Sequence, residues 1–153
     1  MARSNSEIRL CSNYGSIKAQ AFAGGICSDN VQGRITSCVS RGHLTAAYYV
    51  GGIVGYNSGT ASSNIFLGTL EGSSYFGSIC GRENDGNIER CIYDKQVMPA
   101  IGGIDGKDVP LKAVGYSSDQ LKSETISGML NKDDFKFRSG EYPEPNTSNI
   151  NRD

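Results

Sequence analysis

"YYVGGIVGYNSG", residues 48–59, decides how the rest of the chain is read. It sets four glycines among aliphatic and aromatic residues and offers no catalytic side chain. Met alone, such a stretch suggests a ligand loop; met again at a fixed interval, it is structural. It recurs on both sides. "FAGGICSDNVQGRITSCVSRGHL" from Phe22 and "YFGSICGRENDGNIERCIYD" from Tyr75 overlay on "YVGGIVGYNSGTASSNIFLGTL" from Tyr49. Gly25, Gly52 and Ser78 share a column at spacings of 27 and 26, followed by the columns Ile26/Ile53/Ile79 and Cys27/Val54/Cys80. A partial earlier copy, "EIRLCSNYGSI", aligns Ile8 with Ile35, so Cys11, Cys38, Asn64 and Cys91 form one more column.

Inside each copy the hydrophobic period is two, as in "GRITSCVS" and "GNIERCIYD", and glycine and asparagine punctuate the strands. A unit of that length is too short for an independent domain, and stacking is the way it buries its apolar side. The expected fold is all-β, a β-solenoid of three to four rungs over residues 1–94. At about 3.3 Å per residue, each rung circles a small core through roughly three short strands. A β-sandwich of hairpins would explain the alternation but not the register between copies.

Composition changes after the repeats. Residues 1–94 hold 14 of the 20 glycines, all 5 cysteines and only 14 charged residues, whereas residues 95–153 hold 17. Residues 95–116 read as a loop-rich connector, with "GGIDGKD" at 102–108 a turn sequence that lacks the phosphate-loop lysine pattern. Residues 117–143 read as a capping element laid over the last rung. Ser117 and Gln120 fit a capping box, Asp119 suits a helix N-terminus, and Leu121, Ile126, Met129 and Leu130 form one apolar side. Phe135 and Phe137 alternate in a short hairpin or edge strand, and residues 144–153 read as a disordered tail.

Three of these stretches, "GGIVGYNSGTASSNIF", "GGICSDNVQGRITSCVS" and "SICGRENDGNIERCIYD", resemble the GLUG-motif repeats of bacterial surface proteins. The likeness covers about residues 6–94, with "GIVG" at 52–55 the closest copy. The segment "SSDQLKSETISGMLNKDDFKFRSGEYPEP" is similar to the stretch downstream of such repeats in large Bacteroidetes-type surface proteins. The resemblance implies an extracellular, cell-surface adhesin or stalk module, joined upstream to the rest of a larger polypeptide. No catalytic residue is associated with the repeat, so none is carried over.

The remaining chemistry is sparse. The net charge of −1, from 15 basic and 16 acidic residues, argues against a nucleic-acid footprint or a basic membrane-binding face. No apolar run is long enough to span a membrane, and "MARSNSEIRL" has no signal-peptide core. Cys27 with Cys38 and Cys80 with Cys91 are lost together in the middle copy, as Val54 and Asn64, which suggests two disulfides within rungs; small buried thiols are the plainer reading. Cys11 would then find its partner upstream. Asp29, Glu83 and Asp85 fall in stacked turns that either solvate the corners or bind calcium, and no metal or cofactor is expected. His43 reads as a surface residue. Tyr48, Tyr56 and Tyr75 cluster near repeat boundaries, where outward rings would form a strip for a glycan or host matrix protein, or simply a cross-strand packing ladder. The expected function is non-catalytic, structural and adhesive. The alternative, a polysaccharide-cleaving β-helix enzyme, needs converging charged side chains, and Arg9, Arg34, Arg41, Arg82 and Arg90 show no convergence in the sequence.

Overall fold

The computed structural model describes residues 6–99 and 101–150. The first turn of chain contributes β1 (Glu7–Arg9), β2 (Ser12–Asn13), β3 (Ile17–Lys18), β4 (Ala23–Gly24) and β5 (Cys27–Asn30). The second contributes β6 (Arg34–Thr36), β7 (Val39–Ser40), β8 (His43–Thr45), β9 (Val50–Gly51) and β10 (Val54–Asn57). In the third come β11 (Thr60–Ser62), β12 (Ile65–Phe66), β13 (Thr69–Glu71), β14 (Phe76–Gly77) and β15 (Cys80–Glu83). A fourth turn opens with β16 (Asn87–Glu89) and β17 (Cys91–Asp94). Each strand pairs in parallel with its counterpart one turn on, as in Ile8↔Ile35, Ala61↔Ile35 and Ala61↔Ile88, or Val54 between Cys27 and Cys80. The chain is a β-solenoid, and the repeat columns read from the sequence are its ladders.

Each full turn has five strands where three were expected. They run two to four residues and are broken at corners. One corner is left-handed without glycine: Leu10, Ser37, Ser63 and Arg90, each directly before the Cys/Asn column, have φ of 57°, 55°, 56° and 50°. Asn64 serves that corner where its neighbours have cysteine. Its side chain accepts from the Cys38 amide at 3.0 Å and donates to the Ile35 carbonyl at 3.0 Å. A second buried ladder joins Asn30 to Asn57, amide to carbonyl, at 2.8 Å. These amides satisfy turn backbone that would otherwise be stranded in an apolar interior. The interior itself is filled by Ile35, Leu44, Val50, Ile53, Val54, Phe66, Leu70, Ile79 and Ile88.

The connector is more than a loop. Its last part forms β18 (Ala113–Tyr116), which pairs parallel to β17 and extends that sheet. Upstream, Ser78 and Ile79 donate backbone hydrogen bonds to Gly102 and Gly103 at 2.9 and 2.8 Å, so the connector covers the third turn. Asp108 staples it by accepting from the Tyr93 hydroxyl at 2.8 Å and the Gly103 and Gly115 amides at 3.0 and 3.1 Å.

The C-terminal element does not lie over the last rung. Helix α1 (Ser118–Leu121) has the capping box read from Ser117 and Gln120. Leu121, Ile126, Leu130 and Phe135 pack against Val39, Ile65 and Ile92, residues from three successive turns. The element therefore clasps the stack from the side, across the sheet β2-β7-β12-β17-β18. The cause is that this sheet is apolar on both faces: Phe66 and Tyr93 fill the interior cluster, while Val39, Ile65 and Ile92 face outward and need cover. The stretch expected to be a disordered tail also belongs to the clasp. The hairpin strands β19 (Phe135–Lys136) and β20 (Glu144–Pro145) pair antiparallel, and the Asn146 amide donates to the Asp134 carbonyl at 2.7 Å. The tail's last three positions, 151–153, lie outside the described residues.

Two carboxylates latch the clasp. Asp134 accepts from Arg9 (2.8 Å), Ser37 (2.7 Å) and Asn131 (2.9 Å). Asp94, 1% exposed, accepts from Tyr142 (2.6 Å), Ser118 (2.7 Å) and the Gln96 amide (2.9 Å). Burial opposes ionisation of Asp94, yet the bonds from Tyr142, Ser118 and the Gln96 and Val97 backbone outweigh it and hold the carboxyl below its ordinary 3.8. A carboxyl lowered by folding stabilises above its unfolded value and loses that contribution as pH falls through the folded one. Thermal melts followed by tyrosine fluorescence are therefore expected to drop below about pH 3.8. Asp94→Asn should melt lower at neutral pH and show a shallower acid limb; equal limbs in both proteins would refute the latch.

Candidate functional site

The side chains of β1, β6, β11 and β16 that alternate outward form two columns: Glu7, Arg34, Thr60 and Asn87, and beside it Arg9, Thr36, Ser62 and Glu89. The clasp rises along one border of this sheet and turns it into a groove of about 410 Å³, with Asn131, Asp134, Ser63 and Arg90 along the wall. A smaller recess of about 220 Å³ continues it past Gln32 and Gly33. The strand period places these side chains together: Ile8, Ile35, Ala61 and Ile88 point inward, so their neighbours on either side point out.

Chemically the groove is polar throughout. Hydroxyls from Thr36, Thr60 and Ser62 run along its floor, and Arg34 and Arg90 have no ion-pair partner among the described residues. Arg9 is engaged by Asp134 at 2.8 Å. Three of the five arginines that show no convergence in the sequence are thus brought to one face. Arg41 lies apart, its guanidinium 5.3 Å from the Tyr14 ring and 5.6 Å from that of Tyr142, and Arg82 sits 4.7 Å over Tyr75. The sequence held the signal in the residues flanking Ile8, Ile35 and Ile88; what it lacked was the clasp that forms the wall.

The tyrosines expected to form a strip are only partly united. Tyr56 and Tyr75 both touch Tyr49, at 5.4 and 5.1 Å between ring centroids, and Phe22 extends the row at 4.6 Å from Tyr49. These rings pack on one another as a ladder, with Tyr75 38% exposed at the outer end. Tyr48 is 54% exposed and makes no ring contact among the described residues.

Of the two readings left open for the cysteines, the structure holds no disulfide within a rung: Cys27, Cys38, Cys80 and Cys91 are buried free thiols and Cys11 is an exposed one. Cys27 and Cys80 stand on the sheet β5-β10-β15, whereas Cys38 and Cys91 stand at the left-handed corner. The Cys27, Cys38 and Cys91 thiols are each turned onto a carbonyl two residues away, Asp29 at 3.3 Å, Thr36 at 3.3 Å and Glu89 at 3.5 Å. Burial pushes the Cys91 thiol up to about 11 and raises that of Cys80 further still. Such thiols are poor nucleophiles.

Glu83 pairs with Lys112 at 3.6 Å, and among the described residues no three His, Cys, Asp or Glu side chains gather as a metal site. His43 is exposed and hydrogen-bonds Thr69 at 2.6 Å across the rung, with Glu71 at 3.9 Å. No described helix is long and apolar enough to cross a membrane. Comparison with family models, curated proteins and solved structures finds no match to this chain.

Proposed function

We propose that this chain is a non-catalytic structural and adhesive module of a bacterial cell-surface protein, holding a glycan in the groove over β1, β6, β11 and β16. The observation that carries the reading is the pair of polar columns lining that groove. Rungs rise by about 4.8 Å, of the order of one sugar residue in a linear polysaccharide. A row of hydroxyls at that interval, with Arg34 and Arg90 able to donate forked hydrogen bonds, suits a polyhydroxylated ligand far better than a lipid or an apolar peptide. The GLUG resemblance supports the surface location and the role as a spacer. The aromatic row of Phe22, Tyr49 and Tyr75 serves mainly to hold successive rungs in register.

The test is a glycan array of neutral and uronate-containing polysaccharides, followed by titration of the hits against Arg34→Ala. Loss of one charged donor is expected to weaken binding about tenfold, with the melting temperature unchanged. Equal binding by both proteins would remove the groove as the site. Appearance of shorter or unsaturated sugar products would favour the polysaccharide-cleaving alternative.

A further inference from the structure

Five thiols are distributed over two ladders, and their order within those ladders is informative. Cys27 and Cys80 have Val54 between them. Cys38 and Cys91 have Asn64 between them, which donates to the Cys91 sulfur at 3.7 Å. Both pairs are therefore two rungs apart, about 9.6 Å by the usual strand spacing, beyond the reach of a disulfide. Cys11 and Cys38 differ. Their flanking residues pair directly, Ser12↔Val39 on one side and Ile8↔Ile35 on the other, so they occupy consecutive rungs of one column. We propose that Cys11 and Cys38 are a disulfide site, closed by a small-molecule disulfide, that staples the first rung to the second.

Geometry supports closure. Neighbouring strands lie about 4.8 Å apart, inside the 4.4–6.8 Å window for bridged Cα atoms. The Val39 amide donates to the Cys11 carbonyl at 3.0 Å, which pins the two backbones at the crossing. The side chains also share an orientation: Cys11 Sγ donates to Arg9 O and Cys38 Sγ to Thr36 O, both at 3.3 Å, while Cys38 Sγ reaches the Ile8 carbonyl of the first rung at 3.7 Å. Among the described residues β1 and β2 are paired on one side only, which leaves room for the small approach that the bond still requires. Access is asymmetric, with Cys11 exposed and Cys38 buried. Cys11 is accordingly the entry point and Cys38 the resolving thiol.

The reaction balances with oxidised glutathione as oxidant. The Cys11 thiolate attacks one glutathione sulfur, forming a mixed disulfide and expelling one glutathione thiolate. The Cys38 thiolate then attacks Cys11 Sγ, forming the protein disulfide and expelling the second. Both thiol protons pass to the released thiolates, so the protein loses two electrons and glutathione disulfide gains them. Burial, with the Cys11 thiol as an adjoining hydrogen-bonding neighbour, pushes the Cys38 thiol up to about 12. The second step is therefore the slow one and should accelerate with pH.

The test is incubation with oxidised glutathione at mildly alkaline pH, then alkylation under denaturing conditions and peptide mapping without reduction. A Cys11–Cys38 linked peptide pair is expected, with Cys27, Cys80 and Cys91 alkylated and Cys11→Ser leaving all four remaining thiols free. Hydrogen exchange at the Val39 amide should slow by about tenfold or more in the oxidised protein, because the rung can no longer fray. A mixed disulfide that persists at Cys11, a dimer linked through Cys11, a linkage between any other pair, or five thiols still free would each overturn the proposal.

Discussion

Gly51→Ala is expected to destabilise the protein by about 3 kcal/mol or more, above the usual range for an added methyl group. A Cβ at Gly51 would stand 1.8 Å from the Val54 carbonyl oxygen, 2.7 Å from its carbon and 2.9 Å from the Gly81 amide nitrogen. All three are backbone atoms held by the ladder, and none can rotate away. The same clash recurs in the column: Gly24 meets Cys27 O at 1.9 Å and Gly77 meets Cys80 O at 2.2 Å. Gly51 has no positive φ, so its role is space, not conformational freedom. The chain folds back on itself so tightly between Gly51 and Val54 that no side chain fits in the bend. Gly128→Ala is the matching control, since nothing lies within 4 Å of its added carbon. That substitution should be neutral or stabilising by about 0.5 kcal/mol through the unfolded chain. Urea denaturation of both variants distinguishes the cases; a Gly51→Ala midpoint close to the parent's would show that the bend can open without cost.

The fold was legible because its signal is redundant. Every rung repeats the demand for an inward β-branched residue and a glycine bend, so the columns through Ile53 and Gly52 could be read without any structure. The number of strands per turn was not legible, because the corners at Leu10, Ser37, Ser63 and Arg90 use residue types with no preference for the left-handed backbone they adopt. Their left-handed backbone is imposed by the pairing on either side. The lateral position of the clasp had a signal in "IFL" at 65–67, where apolar residues occupy both faces of a strand. The groove was half legible: periodicity puts Arg34 and Thr36 outside, but its wall comes from residues 131 and 134, which no local pattern relates to β6. Cysteine contacts were not legible for a physical reason. Joint replacement of Cys27 and Cys38 by Val54 and Asn64 marks two positions within one repeat copy, but the ladders set contact between copies.

Asp134→Ala should release the clasp while leaving the solenoid intact, at a cost of about 2–3 kcal/mol. Asp134 is 4% exposed and takes hydrogen bonds from both parties, Arg9 and Ser37 of the stack and Asn131 of its own segment. Ser37 is fully buried, so truncation leaves its hydroxyl without an acceptor and opens a void beneath the clasp. Arg9 is about a third exposed and recovers water, which keeps the loss below that of a fully buried ion pair. Asp134→Asn preserves volume but replaces one acceptor oxygen with a donor; with the oxygen kept toward Ser37 and Asn131, the Arg9 guanidinium faces an NH2 group and loses its acceptor. It should fall between parent and alanine variant, at about 1–2 kcal/mol. Hydrogen exchange gives the localised readout. Protection should vanish at Asn146 and Lys136 and weaken at Leu121, while the Ile53, Val54 and Ile65 amides, which are held by neighbouring rungs, stay protected. Because Asp134 and Asn131 also form the groove wall, the same variant should lose the glycan binding proposed for the groove in step with the loss of clasp protection. Uniform loss of protection across all sheets would instead make the clasp part of a single cooperative unit with the stack. That result would remove the reason to treat the groove wall as separable from the floor it covers.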